Sequence, residues 1–588
     1  MALLDPLAVS TPLVTAAEAA VRVLESEGVD VVFGIPGASI LPLYRALSRS
    51  RIRHLVARHE EGASHAADGY ARASGKVGVA IATSGPGGTN FVTGLYTAWA
   101  DSIPIATITG QVPVGQLHRE GFQAVDICEI VKPVVKRSFL VKEAAQVPWV
   151  FREAFRIARE GRPGPVHIDL PQDVQQQLVP FSPLDVESLP VFRAAPPANK
   201  IAAAVEWLAT AERPILMPGG GVILAEAWDA LVALAEHLDC AVSPTLMGKG
   251  AIDEEHPLWT GIVGVQTQQR FANALFLESD LVCAIGARFA SRHTGDLATY
   301  RGGRRFVHVD VEATQIGRIF APDLGIVADA KLTLEALLRE ARRRYPEGVR
   351  RPAWRARIAG AKHELGRRTN FDDVPIKAPR VFGELNDFYQ GDTTFVTAIG
   401  LYQIWSGQFQ RTRLPRRYLV CGQAGPLGWE ISACTGAKLA QPGREIVGVV
   451  GDYSFQFLIE EIAVAVQYRI PFTIVMLNNA YLGLIRQTER GPFGFEENFE
   501  VGIGYGADGY GIDHVKAVEA MGARGRRVTE PGAIREALAW ARDTSERERL
   551  PVLVEILTEQ EENAAMGASI ANVTEFHPLP EPGARAAV

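Results

Sequence analysis

The sequence predicts an α/β fold built from three consecutive, doubly wound parallel-sheet domains. Three observations lead to this fold class. The chain has 588 residues, which is too long for one hydrophobic core. Short apolar runs alternate with amphipathic stretches, as expected when parallel strands are buried between helices on both faces. This alternation occurs in three successive blocks of similar size.

The apolar runs define each block in turn. The first block has predicted strands at 31–34, 54–56, 77–83, 104–109 and 166–170, with helices at 41–48, 64–73 and 90–100. A stretch punctuated by proline, 173–197, is interpreted as a linker. Strands of the second block lie at 215–217, 281–285 and 306–309, and those of the third at 394–396, 445–450, 472–477 and 552–556. The predicted domains are therefore 1–182, 198–345 and 375–576, followed by a tail, 577–588, that we expect to be disordered.

The composition argues against several classes of protein. A net charge of −7, without a sizeable basic stretch, does not favour a nucleic-acid partner. The arginine-rich run 339–355 is interpreted as the solvated face of a helix and the linker after it. The 5 cysteines form no CxxC pair, so neither a disulfide framework nor a zinc site is expected. No signal-like N-terminus and no long apolar run is found, so we expect a cytoplasmic protein without a membrane partner.

The third block carries the most specific pattern for a ligand. One predicted strand ends in Gly451-Asp452-Tyr453-Ser454, and the next ends in Asn478-Asn479. Ligands of open parallel sheets bind at the carboxyl ends of strands, and Mg²⁺ prefers oxygen ligands from protein and phosphate. Asp452, the amide of Asn479 and the carbonyl of Tyr481 are thus predicted to bind Mg²⁺ beside a diphosphate. The alternative is a pair of turns in which Asp and Asn serve only as caps.

Long motifs in all three blocks carry a family resemblance. The chain resembles the acetohydroxyacid synthase branch of thiamine-diphosphate-dependent enzymes, whose motif of GD followed some 27 residues later by NN matches the pattern above. Further shared segments are FGIPGASILPLY (33–44), RHEEGASHAADGYAR (58–72), TSGPGGTN (83–90), ITGQVP (108–113), GRPGPVHIDLP (161–171) and GARFASRHTG (286–295).

Within that branch the chain is most similar to the glyoxylate carboligase (tartronate-semialdehyde synthase) subgroup. The segments that carry this likeness are LHREGFQAVDI (117–127), FVHVDVEATQIGR (306–318), CGQAGPLGW (421–429), FQFLIEE (455–461), NNAYLGLIRQ (478–487) and GYGIDHVK (509–516). The resemblance implies a pyrimidine-binding first domain, a central FAD-type domain and a third domain that binds diphosphate. It also implies a homodimer or homotetramer with active sites between subunits.

The resemblance assigns roles at the reacting end of the cofactor. Glu60 matches the carboxylate that gives a proton to the pyrimidine ring, so that the cofactor's amino group can deprotonate its thiazolium carbon. Phe122 and Gln123 match positions that line the reaction space, and Leu427 matches an apolar wedge that bends the cofactor, although it could be an ordinary core residue. Other matched cofactor positions are Ile35, Pro36, Gly37, Pro86, Asn90, Gly400, Leu401, Tyr402, Gly425, Gly451, Tyr453, Ser454, Gly483 and Leu484.

The central block implies a structural FAD. Gly219-Gly220-Gly221 follows a predicted strand, which alone is a weak indication of a dinucleotide. The alternative is a vestigial domain that has lost FAD. The resemblance adds FAD-contact positions at Thr245, Leu246, Met247, Arg288, Arg292, Asp310, Val311, Asp329 and Ala330.

The acceptor side favours the carboligase subgroup. Thr488 occupies the position at which acetohydroxyacid synthases carry a tryptophan, and Arg486 lies two residues earlier as a candidate partner of a carboxylate. Arg486 could equally be an ordinary exposed helix residue. His118 and Arg119 are weaker candidates for steering a carboxylate, while His59 and His65 lack the spacing of metal ligands.

The predicted reaction is the condensation of two glyoxylate molecules to tartronate semialdehyde with release of CO₂. One alternative is an acetolactate synthase, or a promiscuous 2-oxo acid carboligase or decarboxylase, that uses pyruvate. Another is a scaffold homologue that binds cofactors without turnover. Glu60 departs from the carboligase subgroup, which typically has valine at this position. We nevertheless expect a carboligase, because the acceptor side lacks the synthase tryptophan.

Overall fold

The computed structural model describes residues 12–494 and 501–578. Two compact units divide the chain: one covers Met1–Phe192 and Thr435–Ala440, and the other covers Arg193–Cys434 and Gln441–Val588. The first unit contains one six-stranded sheet, and the second contains a five-stranded and a six-stranded sheet. Of the predicted disordered tail, residues 579–588 lie outside the described residues.

The sheet of the first unit is parallel throughout, in the order β3-β2-β4-β5-β7-β6, while β1 and β8 form a separate antiparallel pair. The strands are β1 (Leu13–Thr15), β2 (Val31–Gly34), β3 (Arg53–Val56), β4 (Gly78–Ala82), β5 (Ile105–Gln111), β6 (Arg137–Leu140), β7 (Val166–Pro171) and β8 (Leu178–Pro180). The helices are α1 (Ala16–Ser26), α2 (Leu41–Leu47), α3 (Glu60–Ser74), α4 (Pro86–Thr89), α5 (Val92–Asp101), α6 (Ile127–Val131), α7 (Val147–Arg159) and α8 (Gln172–Gln176).

The central sheet is also parallel, in the order β10-β9-β11-β12-β13. Its strands are β9 (Pro214–Pro218), β10 (Ala241–Val242), β11 (Leu281–Ile285), β12 (Arg305–Asp310) and β13 (Leu324–Val327). Its helices are α9 (Ala198–Thr210), α10 (Gly220–Leu224), α11 (Trp228–Leu238), α12 (Arg270–Glu278), α13 (Ser291–Thr294), α14 (Leu297–Arg301), α15 (Ala330–Arg344) and α16 (Pro352–Leu365).

The third sheet is parallel in the order β15-β14-β16-β17-β19-β18, and β20 and β21 form a small hairpin. The strands are β14 (Thr394–Thr397), β15 (Tyr418–Val420), β16 (Ile446–Gly451), β17 (Phe472–Asn478), β18 (Arg524–Val528), β19 (Pro551–Leu557), β20 (Met566–Ser569) and β21 (Asn572–Thr574). The helices are α17 (Ala378–Phe388), α18 (Leu401–Phe409), α19 (Trp429–Ala440), α20 (Asp452–Gln456), α21 (Glu461–Gln467), α22 (Gly483–Thr488), α23 (His514–Ala520) and α24 (Ile534–Glu548).

The predicted fold class is confirmed, and every strand predicted from an apolar run is present. The strands of the three parallel sheets that the sequence did not reveal are β6, β10, β13, β15 and β18, and each of them lies at an edge of its sheet. Edge strands are short or partly exposed, as in the pattern of β18, in which only Val528 is buried. They therefore lack the continuous apolar run of a strand that is covered on both faces.

The first and third sheets share one strand order, 2-1-3-4-6-5 when each is numbered along the chain. In both, the first and third strands of the block are neighbours, and the chain leaves them toward opposite edges. This neighbour pair is β2 and β4 in the first sheet, and β14 and β16 in the third. Open parallel sheets bind ligands at such a switch point, outside the carboxyl ends of the strands.

The interpretation of the arginine-rich run 339–355 as wholly solvated is wrong at Arg351. Arg351 is buried, and its Nη2 donates to the carbonyl oxygens of Leu208 at 2.6 Å and Ala209 at 2.9 Å. Its Nε donates to the carbonyl of Ala211 at 2.8 Å. The last carbonyls of a helix have no partner within the helix, so this buried guanidinium satisfies the end of α9.

Of the helices within the described residues, none combines the length and the apolar character that a membrane crossing would require.

Candidate active site

A cavity of about 310 Å³ lies at the switch point of the third sheet, where β14, β16 and β17 end. The segments that follow these strands form its walls, so residues far apart in the sequence meet there. The predicted residues that line it are Gly400, Leu401, Tyr402, Leu427, Gly451, Asp452, Tyr453, Ser454, Asn479, Tyr481, Gly483 and Leu484.

Sequence reasoning missed several apolar residues of the same cavity. They lie within or beside the motifs and carry no chemical signature of their own, so only their position relative to a motif could have indicated them. These residues are Ile399, Trp405, Leu477, Leu482 and Ile485. Gly425 was predicted to contact the cofactor but does not line this cavity; it has φ +64° and lies beside the side chain of Ile399.

Asp452 fits the role of a metal ligand. Its side chain is buried, and its Oδ2 atom has no hydrogen-bond partner. Burial raises the pKa of Asp452 to about 7, although the charge of His514 and nearby backbone N–H groups oppose the shift. A buried carboxylate oxygen without a partner is costly unless a cation or donor satisfies it. The site therefore suits a hard cation such as Mg²⁺.

Asn479 and Tyr481 lie beside Asp452 on the turn that follows β17. Asn479 is buried, and its Oδ1 accepts a hydrogen bond from the Tyr481 backbone N–H at 3.3 Å. Ala480 between them has φ +55°, which turns the chain sharply. Within the described residues, no cluster of three or more His, Cys, Asp or Glu side chains could hold a metal. The predicted site depends instead on one carboxylate, one amide and one carbonyl.

A buried network behind β17 holds this turn. Asn478 accepts a hydrogen bond from the Ala480 N–H at 3.0 Å and donates to Glu555 Oε1 at 2.8 Å. Glu555 also lies 2.8 Å from His514 Nδ1 and accepts from Arg527 Nε at 2.7 Å. Burial alone would raise the pKa of Glu555, but these partners together lower it. The sequence analysis did not assign this support to Glu555, His514 or Arg527.

Close contacts explain the glycines of the cavity. A Cβ on Gly483 would lie 2.7 Å from Asn479 Nδ2 and 2.6 Å from Leu401 Cδ1. A Cβ on Gly451 would lie 2.8 Å from the ring of Tyr402, and one on Gly400 would collide with the same ring. Since real Cβ contacts are longer, a side chain at any of these positions would have to displace Leu401, Asn479 or the Tyr402 ring.

Glu430 is a second buried carboxylate near the cavity, and it was not predicted. It lies in the first turn of α19, three residues after Leu427, and is 2% exposed. It accepts hydrogen bonds from Tyr402 Oη and from Ser454 Oγ, the latter at 3.2 Å. Burial raises the pKa of Glu430 to about 7, while these hydroxyls and nearby backbone N–H groups oppose the shift. Its position directly after the apolar stretch GPLGW was the available sequence signal.

The first sheet places its predicted residues at the equivalent switch point. Ile35, Pro36 and Gly37 follow β2, and Pro86 begins α4 after β4. These two segments touch, because a Cβ on Gly37 would lie 2.5 Å from Thr83 Cβ. These residues therefore lie at the ends of two adjacent strands.

Glu60 and Asn90 meet in the first unit. Glu60 is the first residue of α3, and its side chain is 9% exposed. Its Oε2 accepts a hydrogen bond from Asn90 Nδ2 at 2.9 Å. His59 caps α3 by accepting from the Glu61 N–H at 3.1 Å, and His65 is buried with its Nε2 3.3 Å from Glu61 Oε1. The two histidines thus belong to the helix, while Glu60 faces Asn90.

The loop after β5 carries Phe122 and Gln123. Phe122 is 85% exposed, whereas Gln123 packs so closely on Gly85 that a Cβ there would lie 2.8 Å from Gln123 Cβ. Gln123 has φ +60° and His118 has φ +61°, a region that L residues with side chains rarely adopt. His118 and Arg119 are exposed. The loop is therefore strained and presents an aromatic ring to solvent.

A buried polar chain lies beneath that loop. Asp169 accepts hydrogen bonds from Thr109 Oγ1 at 2.8 Å and Gln111 Nε2 at 2.9 Å, and Gln111 Nε2 also donates to the carbonyl of Val125 at 2.8 Å. Thr109 Oγ1 lies 3.1 Å from His167 Nε2. Burial raises the pKa of Asp169 to about 7 and lowers the pKa of His167 to about 3. This series of hydrogen bonds thus connects the core of the sheet to Val125 near the end of the loop.

The predicted FAD positions of the central sheet form five groups, and each group lies at or after the carboxyl end of a different strand. Two of them already have side-chain hydrogen bonds: Asp329 caps α15 by accepting from the Leu332 N–H at 3.0 Å, and Arg292 donates to Gln403 Oε1 on α18 at 2.9 Å. By strand, Gly219, Gly220 and Gly221 follow β9; Thr245, Leu246 and Met247 follow β10; Arg288 and Arg292 follow β11; Asp310 ends β12 before Val311; and Asp329 and Ala330 follow β13.

Arg486 on the acceptor side is not the ordinary exposed helix residue that one interpretation of the sequence expected. It is 1% exposed, its guanidinium lies 4.3 Å from the ring centre of Tyr481, and its Nη1 lies 3.3 Å from Glu561 Oε1. It is therefore not a solvated helix residue, and stacking on Tyr481 gives it a packing role. The hydroxyl of Thr488 donates to the Leu484 carbonyl at 2.7 Å within α22.

Three family descriptions match successive parts of the chain. The N-terminal TPP binding domain of thiamine pyrophosphate enzymes matches residues 14–130, and the central domain of these enzymes matches residues 201–337. Their C-terminal TPP binding domain matches residues 398–556. Thiamine pyrophosphate is another name for thiamine diphosphate. The three matches correspond to the three parallel sheets in order.

Curated relatives cover nearly the whole chain. A glyoxylate carboligase of Escherichia coli O157:H7 is 47% identical over 581 residues, which is 97% of this chain and 98% of the relative. A probable acetolactate synthase large subunit of Methanococcus aeolicus is 36% identical over 95% of this chain and 94% of the relative. One of Methanocaldococcus jannaschii is 37% identical over 95% of both.

Proposed function

Because this chain belongs to the thiamine pyrophosphate enzyme family, we propose that it condenses two molecules of glyoxylate to tartronate semialdehyde and releases CO₂. The observation that carries this proposal is the difference in identity between relatives. The chain is 47% identical to the glyoxylate carboligase but 36% and 37% identical to the two acetolactate synthases, over similar lengths. The absence of the synthase tryptophan at Thr488 supports the same substrate.

The residues of the third sheet suit the diphosphate and the metal. When bound, thiamine diphosphate supplies the carbon that attacks a 2-oxo acid and accepts the electrons released by decarboxylation. Asp452, Asn479 and Tyr481 would hold Mg²⁺, which the unpartnered Oδ2 of Asp452 supports. Leu427 and the other apolar walls would exclude water from the reacting end.

The residues of the first sheet suit activation and substrate binding. Glu60 would hold a proton against the pyrimidine nitrogen, and its burial and its hydrogen bond from Asn90 at 2.9 Å support this role. Phe122 and Gln123 would contact the 2-oxo acid. We further propose that each chain has the domains 1–182, 198–345 and 375–576. Two subunits would complete each site in a homodimer or homotetramer.

The central domain would hold FAD in a structural role. Its candidate residues follow the carboxyl ends of all five strands, which is where a parallel sheet binds a dinucleotide. Chemical reduction of the bound flavin should leave the carboligase rate nearly unchanged. A rate that followed the redox state of the flavin would contradict the structural role.

Product analysis tests the substrate. The purified holoenzyme with Mg²⁺ and thiamine diphosphate is supplied separately with glyoxylate and with pyruvate, and both CO₂ and the condensed product are measured. We expect one CO₂ and one tartronate semialdehyde per two glyoxylates consumed, at a rate well above that with pyruvate. Faster conversion of pyruvate to acetolactate would replace the proposal by the synthase alternative. Turnover of neither acid would favour a scaffold role.

The presence of glutamate at position 60 is the one specific observation that supports the alternative of an acetolactate synthase or another carboligase that uses pyruvate. The carboligase subgroup typically has valine here, and the carboxylate of Glu60 is buried as the general family mechanism requires. A Glu60→Val variant therefore separates two explanations of its presence. If the glyoxylate-to-pyruvate rate ratio stays constant, Glu60 affects activation alone; if the ratio rises, Glu60 also shifts the substrate preference toward pyruvate.

A further inference from the structure

Glu430 belongs to neither the metal ligands nor the residues that line the cavity, yet it contacts two residues that do line it. Tyr402 Oη and Ser454 Oγ both donate to its carboxylate. Tyr402 lies at the start of α18, and Ser454 lies in the turn that carries Asp452. One carboxylate thus connects the segments that follow β14 and β16.

A third segment joins through Ser454. The Ser454 Oγ accepts a hydrogen bond from the Gly428 backbone N–H at 3.1 Å while it donates to Glu430. Gly428 directly follows Leu427 and has φ +77°, and a Cβ there would lie 2.5 Å from the Phe457 carbonyl oxygen. The loop that ends in Leu427 is therefore fixed on the Ser454 hydroxyl.

The hydroxyl of Ser454 has only one proton, and the direction of that proton matters. Because Glu430 accepts it, the lone pairs of Ser454 Oγ remain available to the Gly428 N–H. Without the carboxylate, this hydroxyl could turn and lose Gly428, and the buried phenol of Tyr402 would lose Glu430 and keep only Ser454 as a side-chain partner. Removing one partner of a buried polar group leaves the other unsatisfied, which costs more than an average hydrogen bond contributes.

We propose that Glu430 is a positioning residue of the thiamine-diphosphate site, which acts through Ser454 and Tyr402 to hold the Leu427 loop in place. The proposal rests on thiamine-diphosphate binding and is independent of which 2-oxo acid reacts. Burial, which raises the pKa of Glu430 to about 7, fits a group held by neutral donors rather than by a cation.

The test measures the affinity of the full-length apoenzyme for thiamine diphosphate at fixed Mg²⁺, through quenching of tryptophan fluorescence. Trp405 lines the cavity and serves as a reporter. We expect Glu430→Ala to raise Kd about tenfold or more, because two buried hydroxyls lose their acceptor. Glu430→Gln keeps one acceptor oxygen and should raise Kd no more than about threefold. Equal Kd values for Glu430→Ala and the parent would overturn the proposal.

A double-mutant cycle separates positioning from a general loss of packing. If Glu430 acts through Ser454, the Glu430→Ala and Ser454→Ala effects on Kd should not multiply, and the double variant should match the weaker-binding single variant within about twofold. Effects that multiply in full would show that Glu430 does not act through Ser454. Should Glu430→Ala fail to fold, the same cycle is run with Glu430→Gln and Ser454→Ala.

Glu254→Gln is the matched control. Glu254 is also buried, in the same unit, but it pairs with Lys249 and does not line the cavity. Its variant should lower the thermal midpoint of the apoenzyme while leaving Kd for thiamine diphosphate within about twofold of the parent. A loss of affinity as large as that of Glu430→Ala would mean that any buried carboxylate has this effect, and the proposal would fail.

Discussion

The first and third sheets have the same strand order, yet the sites at their switch points are built differently. In the third sheet, the segments after three strands enclose a cavity of about 310 Å³. In the first sheet, the buried Glu60 pairs with the partly buried Asn90 at the strand ends, and the neighbouring loop exposes 85% of Phe122. One topology therefore supports a pocket lined by strand ends in one place and an exposed loop surface in the other.

The difference follows from what holds each site. Asp452 and Asn479 are fixed by strand ends, short turns and the buried Glu430 and Glu555 networks, so this pocket is formed within one chain. The loop with Phe122 is held from below through Gln111 and has positive φ at several residues. A rigid pocket suits a diphosphate, whereas an exposed aromatic loop suits a surface completed by another subunit, as we propose.

The largest expected effect is on metal and cofactor binding in the cavity of the third sheet. Asp452→Ala removes the carboxylate of the proposed magnesium site, so Mg²⁺-dependent retention of thiamine diphosphate should fall by about a hundredfold or more. Cofactor content after gel filtration, at a series of Mg²⁺ concentrations, measures this. Asp387→Ala, an exposed carboxylate of the same domain, should retain the cofactor normally. Full retention by Asp452→Ala without added metal would remove the metal assignment.

The next largest effect is on cofactor activation by Glu60 at the switch point of the first sheet. Glu60→Gln should slow proton exchange at the thiazolium carbon by about a hundredfold or more, the usual scale for a general acid–base group. Overall turnover can fall less if a later step limits the rate. Exchange is followed by NMR after mixing with deuterated buffer, and Glu61→Gln, the adjacent carboxylate, is the control. Exchange in Glu60→Gln as fast as in the parent would exclude Glu60 as the activating group.

A smaller effect is expected from the hydrogen bond between Asn90 and Glu60. Asn90→Ala removes the donor 2.9 Å from Glu60 Oε2 and leaves that buried oxygen without this partner. We expect the same proton exchange to slow by about tenfold, since removing one partner of a buried hydrogen bond leaves the other partner unsatisfied. Thr89→Ala, on the neighbouring exposed residue, should leave the rate unchanged. If both variants behaved alike, the Asn90 contact would have no part in activation.

The smallest effect concerns the polar chain beneath the open loop. The pKa of Asp169 is raised to about 7 by burial, above its unfolded value of 3.8. The native state therefore keeps a proton that the unfolded state releases, and stability is lost as pH rises from about 4 to 7. Asp169→Asn cannot lose that proton, so its thermal midpoint should gain a few degrees relative to the parent between pH 5 and pH 8.

Asp30 is the control for this pH trend, because its pKa is shifted in the opposite direction to that of Asp169. The Lys76 ammonium holds the pKa of Asp30 below its ordinary value, so Asp30 is ionised in both states above pH 5. The difference between Asp30→Asn and the parent should thus stay constant over the same range. A constant difference for Asp169→Asn as well would show that Asp169 does not titrate within the folded protein.

The sequence predicted strands and motifs well where burial or spacing left a clear pattern. Central strands such as β11 appeared as apolar runs because they are covered on both faces, whereas β13 and β18 at the edges did not. The metal motif was recognisable because Asp452 and Asn479 follow successive central strands.

Residues that act on the motif from behind left a weaker pattern. Glu430, Glu555 and His514 meet the site only after the chain folds, and no short spacing connects them. Arg486 shows the same limit, since its partner Glu561 lies 75 residues away along the chain. Tertiary partners of this kind cannot be inferred from local periodicity.

The glycines around Tyr402 decide where this pocket can be redesigned. Substitution of Gly451 brings a Cβ within 2.8 Å of the ring, so libraries randomised at Gly400 or Gly451 should return glycine alone among active clones. Ile485 also lines the cavity and is 49% exposed, so it can change size more easily than the glycines packed on Tyr402. Directed evolution toward bulkier 2-oxo acids should therefore accumulate its changes on α22.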